Sequence, residues 1–254
     1  MSSISLLSLV LLVIMVVVGR QQGWLAFVSI WLNFLSLFLF ITLIVWHFPP
    51  LLLTVIFSVL ILTITIFLGD DQTSATIPAF VAALLVTAIT MISVVITVHF
   101  ALTYGFSIED SDDLQGMSTM IGINYIHISV ATTTLCSLGA VAEAAIAISS
   151  GIDEVAAKHS ALSFQRLFAA GMHIGHQIIG TTINTLFFGF FGGLLSLFTW
   201  FASLHYSWAM IFNNQIMVGE LVEILISFLG VLLTVPITAW IACFYHQRSS
   251  ASTH

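Results

Sequence analysis

Apolar residues run along this chain in long stretches separated by short polar breaks. Crossing a bilayer's hydrocarbon core takes about 20 mostly apolar residues in helical form. Candidate stretches are 4–19, 24–46, 50–68, 78–102, 121–149, 181–202 and 218–244. The short breaks carry turn-forming punctuation: Arg20-Gln21-Gln22-Gly23, His47-Phe48-Pro49-Pro50 and Gly69-Asp70-Asp71-Gln72. Longer polar breaks fall at 105–118, 150–170 and 203–215. The run 4–18 lacks a basic leader and a small-x-small cleavage site, so it reads as a retained helix, not a signal peptide. The pattern predicts an all-α, polytopic helical membrane protein with about seven transmembrane helices. No repeat, low-complexity tract or linker divides the chain, so residues 1–254 are expected to form a single integral membrane domain.

Composition supports lipid as the solvent. Hydrophobic residues make up 59% of the chain and charged residues 6%, against roughly a quarter charged in soluble domains. With four Lys and Arg and a net charge of −7, no basic patch exists and a nucleic-acid partner is not expected. Cys136 and Cys243 lie in apolar runs and read as small helix-packing residues. Basic residues stay on the cytoplasmic side. Arg20, Lys158, Arg166 and Arg248 all fall on one side if the N-terminus is outside and the C-terminus cytoplasmic. The acidic run Glu109-Asp110-Ser111-Asp112-Asp113 then faces outside. As a calcium loop it fails, because Leu114 occupies a ligand position and no Glu closes it; a solvated loop is expected.

Polar residues inside apolar helices are the informative ones. Glu143 lies about 10 Å inside a helix that ends near Ser150, where an ionised carboxylate costs a few kcal/mol. Ser129, Thr132, Cys136, Gly139, Glu143, Ala147 and Ser150 share its helical face. Two readings stay open: a close-packed seam holding a hydrogen-bonded carboxylate, or a titrating group in a transport pathway. A second cluster runs through His173, His176 and Gln177 to Thr181, Asn184 and Thr185. Thr181, Asn184, Thr185 and Phe188 are expected on one face, with Asn184 a hydrogen-bond partner for Glu143. The spacing of His173 and His176 could serve a metal, with Glu143 or His159 as a third ligand, but nothing like HExxH supports it; interfacial polar residues are the better reading. No metal or other cofactor is expected. Glu223, one turn deeper than Glu220, is a further candidate. Pro236 is expected to kink the last helix. No triad, phosphate loop or catalytic carboxylate pair stands out, so no enzymatic activity is expected.

Two blocks carry a family resemblance: GAVAEAAIAISSGIDEV at 139–155 and LSFQRLFAAGMHIGHQIIGTTINTLFFGFFGG at 162–193. With weaker similarity at 19–23, in the acidic loop and at 220–242, the chain resembles the YibE/F-like family of bacterial membrane proteins, in its short, YibF-type form. The family usually has Asp where this chain has Glu143, and Arg-Asp where it has His176-Gln177. The resemblance implies a bacterial cell-membrane location and a complex with a second, longer YibE/F-like subunit. A fainter similarity of pattern links the chain to the helical core of the protein-export component SecF and the resistance-nodulation-division (RND) transporters. Together these make a transporter or permease-like subunit the leading expectation, proton-coupled through Glu143, with a non-transporting scaffold as the alternative. No substrate is legible.

Overall fold

The computed structural model describes residues 3–69, 73–101, 125–158 and 163–251. The described residues form helices α1 (Ser3–Val45), α2 (Pro50–Gly69), α3 (Thr73–Ala101), α4 (Tyr125–Lys158), α5 (Phe164–Ser203), α6 (Trp208–Asn213) and α7 (Gln215–Ala251). Six of them are long and apolar enough to cross a membrane. The acidic run 109–113 and His159 lie outside the described residues.

The expected first and second spans are the two halves of α1. A straight helix of 43 residues would reach about 65 Å, more than twice the hydrocarbon thickness of about 30 Å. The chain breaks it at Arg20, whose φ of 48° and ψ of −123° are not helical. This is the first central position of a type II′ turn, normally glycine's place. Beyond the bend the Met15 carbonyl lies against Gly23, leaving no room for a Cβ. The second half of α1 is stapled to α2 by its polar residues. Gln22 Nε2 donates to the Gly69 carbonyl (2.7 Å), and Asn33 Nδ2 to Thr65 Oγ1 (2.9 Å). His47, with φ of 64°, takes the left-handed position that ends α1 before Pro50 opens α2.

Helix α4 is the centre of the bundle, touching α2, α3, α5 and α7. Its Leu138, Val141, Ala142 and Ala145 pack with Leu62 and Ile66 of α2 and Ala79, Ala83 and Val86 of α3. Lower down, Ile148, Ile152 and Ala156 meet Leu167 of α5 and Val235, Ala239 and Cys243 of α7. Ser149 Oγ donates to the Ala75 carbonyl at 2.7 Å, and Ser74 Oγ to Asp153 Oδ2 at 2.7 Å, tying α3 to α4. Gly230 of α7 lets that helix close on Thr90 and Val141.

Two expected polar breaks prove largely helical. Within 150–170, α4 continues to Lys158 and α5 begins at Phe164. The reason is packing: Ile152, Ala156 and Leu167 form an apolar face on these extensions and are buried. Glycines let the backbones approach, Gly151 against Ile174, Gly171 against Ile152 and Ala239, and Gly175 against Val235. Within 203–215, α6 forms, capped by Ser207, whose Oγ accepts from the Met210 amide. Helix α7 runs unbroken through Pro236.

Candidate functional site

The predicted small-residue face of α4 is not the packed seam. Val141, Ala142, Ala145 and Ile148 take that role, because alanine and branched aliphatic side chains fill the spaces between α2, α3 and α7. Thr132, Cys136, Gly139 and Glu143 are exposed instead. Their spacing of four, three and four residues puts them on one narrow strip of a helix that is otherwise enclosed between residues 126 and 153. A Cβ added at Gly139 would meet nothing within 4 Å.

The depth of Glu143 also needs revision. Since α4 does not end near Ser150, Glu143 stands about 27 Å from Tyr125 and about 22 Å from Lys158 at 1.5 Å per residue. That is mid-helix, two residues from Val141, which packs on Gly230 in the middle of α7. Glu143 makes no hydrogen bond or ion pair among the described residues, and the expected bond to Asn184 is absent.

The strip is open because α5 diverges from α4. Near the Lys158 end of α4 the two helices touch through Gly151 and Ile174. Farther along, α5 turns its packing towards α6 and α7, with Leu194 and Phe201 against Ile211 and Met217. Between these levels Thr181, Asn184, Thr185 and Phe188 share an exposed face, as their spacing predicts. The two threonine hydroxyls donate to carbonyls of their own helix, Thr181 to Ile178 and Thr185 to Thr181, both at 2.9 Å.

In the wedge between α4, α5 and α7 lies a cavity of about 290 Å³. Cys136, Thr185, Glu223 and Ser227 bring polar atoms to it, and Leu186, Phe190 and Ile224 line the rest. The Cys136 thiol lies near the Glu223 carboxylate, and Glu220 is close enough to interact with both. Ser227 lies one turn beyond Glu223 and donates to its carbonyl at 2.9 Å. The cavity thus places a carboxylate, a thiol and two hydroxyls together, an arrangement able to hold a proton or a small cation. Glu143 stands on the same α4 strip, two turns below Cys136, about 10 Å along the axis.

Of the sequence candidates, Thr185 and Glu223 meet in this cavity, while Glu143 approaches it along the strip. Asn184 and Thr181 stay on the outer face of α5. His173, His176 and Gln177 are exposed one to three turns nearer the start of α5, with His176 Nδ1 2.8 Å from the Met172 carbonyl. Among the described residues no three His, Cys, Asp or Glu side chains gather as a metal set. Two cavity residues escaped the sequence reading. Cys136 was assigned to packing, which is right for the buried Cys243 but wrong for Cys136; its place on the Glu143 strip was the signal. Ser227 was legible only through its spacing of four from Glu223.

A family model described as YibE/F-like protein matches residues 7–248. The chain belongs to the YibE/F-like family. The match takes in every helix, so the cavity, the strip and the bend at Arg20 all lie within the family's span. No curated protein and no solved structure matches the chain. The likeness to RND transporters therefore remains one of sequence pattern. This YibE/F-like chain is a multi-helix membrane protein.

Proposed function

We propose that this chain is the transporting subunit of a membrane complex, with Glu223 and Glu143 as the groups that carry a proton or small cation across the hydrophobic interior. The observation that supports this reading is the cavity, which sets a carboxylate beside a thiol and two hydroxyls at membrane depth. A purely structural helix junction has no use for an open carboxylate there, since unsatisfied charge in hydrocarbon is costly. The strip continues the polar lining to Glu143, halfway along α4. In this reading the complex lies in a bacterial cell membrane, with the N-terminus outside and a second, longer family member beside the chain.

The competing reading is a scaffold that moves nothing, and the exposed face of α5 gives it support. Water in the cavity separates the two. In a Cys243→Ala background reconstituted in vesicles, Cys136 is expected to react with a charged, water-soluble methanethiosulfonate. Glu223→Gln should change the pH dependence of that reaction, because the carboxylate stands beside the thiol in the same cavity. A Cys136 that stays unreactive while the protein remains folded would mean a dry junction, and the scaffold reading would stand.

A further inference from the structure

The exposed strip of α4 is not a lipid-like surface. Helices that face lipid, such as α1 with Ile4 at 77% and Val18 at 81% exposure, present large apolar side chains. Between residues 126 and 153, α4 opens only through Thr132, Cys136, Gly139 and Glu143. Across the trough, α5 brings Thr185 and Gly189, both exposed, to the cavity that Cys136 borders, and at Gly189 an added Cβ would meet nothing within 4 Å. Both walls therefore admit the close approach of another backbone and offer it groups to hydrogen-bond.

We infer that this trough receives one transmembrane helix of a different chain, carrying a Lys or Arg at the depth of Glu143. The argument is charge complementarity. Among the described residues Glu143 meets no counterion: the four Lys and Arg are Arg20, Lys158, Arg166 and Arg248. They lie at the α1 bend, the end of α4, the start of α5 and the last turns of α7. A second copy of this chain brings no mid-membrane cation either, and a symmetric pairing on this strip would set Glu143 against Glu143. Lipid tails would leave the carboxylate unsatisfied. A basic, small-faced helix satisfies it and fills the space. The inference rests on reading the chain as one subunit of a complex and not on its moving a substrate, which Cys136 reactivity tests separately.

The test uses the whole protein, donor-labelled and reconstituted in phosphatidylcholine vesicles. The probes are acceptor-labelled leucine–alanine transmembrane peptides with a central Arg, Leu or Glu. Energy transfer should show the Arg peptide binding about tenfold or more tightly than the Leu peptide, and the Glu peptide binding weakest. That preference should disappear in Glu143→Gln. Gly139→Leu, which fills only open space, should weaken the binding of the Arg peptide while the unfolding midpoint holds. Equal binding of the Arg and Leu peptides, no binding of any peptide, or an Arg preference that survives Glu143→Gln would each overturn the inference. So would a peptide-free dimer by light scattering that Gly139→Leu dissociates, since the occupant would then be a second copy.

Discussion

Gly175 and Gly192 lie on the same helix, yet a side chain would meet opposite conditions at the two. At Gly175 a Cβ would collide with the Val235 side chain, whereas at Gly192 there is open space. Overpacking a tight contact costs about 1–3 kcal/mol. Gly175→Val should therefore lower the unfolding midpoint in a denaturing-detergent titration, while Gly192→Ala should leave it unchanged or raise it slightly. Polar contacts between helices are smaller. The Asn33–Thr65 hydrogen bond joins α1 to α2, and such bonds average about 0.6 kcal/mol in membranes. A double-mutant cycle with Asn33→Ala and Thr65→Ala should return a coupling near that size. A coupling of zero would mean that the Gln22 bond and the packing of Phe40 on Leu53 and Phe57, and not this bond, hold α1 on α2.

At the scale of elements, the bend in α1 separates sequence from geometry most clearly. The Arg20-Gln21-Gln22-Gly23 break was legible as punctuation, but its form was not. Arg20 adopts a φ of 48°, and a non-glycine residue held there costs about 1–3 kcal/mol. Arg20→Gly should relieve that strain and raise the unfolding midpoint. Gly23→Val should have the reverse effect and free the first half of α1, because the Met15 carbonyl occupies the side-chain position. Limited proteolysis near residue 20 would report both changes. By contrast, sequence reasoning ended α4 too early and began α5 too late. Polar residues such as Asp153, Glu154 and Lys158 look like a loop until Ile152, Ala156 and Leu167 are seen packing on one face. Length of apolar run marks where lipid ends; it does not mark where a helix ends.

At the scale of the whole molecule, the placement of the basic residues makes a topological prediction. If they share the cytoplasmic side, then Arg20→Cys and Arg248→Cys should both resist a membrane-impermeant maleimide added outside intact cells. Both should label once the membrane is opened. Labelling of one but not the other from outside would mean an odd number of crossings between residues 20 and 248, against the expected six.

The sequence by itself determined the solvent, the class and the family. Long apolar runs and scarce charge leave no soluble alternative, and the blocks at 139–155 and 162–193 carry family membership. It also singled out Glu143, Thr185 and Glu223, since polar residues in apolar helices stand out without coordinates. Only the tertiary structure decided which face of α4 packs. Helical periodicity groups residues into faces, but both the alanine face and the small polar face of α4 are suited to close packing. The choice fell to the neighbours: α2, α3 and α7 enclose the alanine face, and α5 swings away from the other. That divergence opens the cavity, where Cys136 of α4 and Glu223 of α7 meet, and leaves Glu143 without the partner its sequence neighbourhood suggested. Contacts between residues 136 and 223, or their absence between 143 and 184, depend on how whole helices are inclined, and no local spacing encodes that.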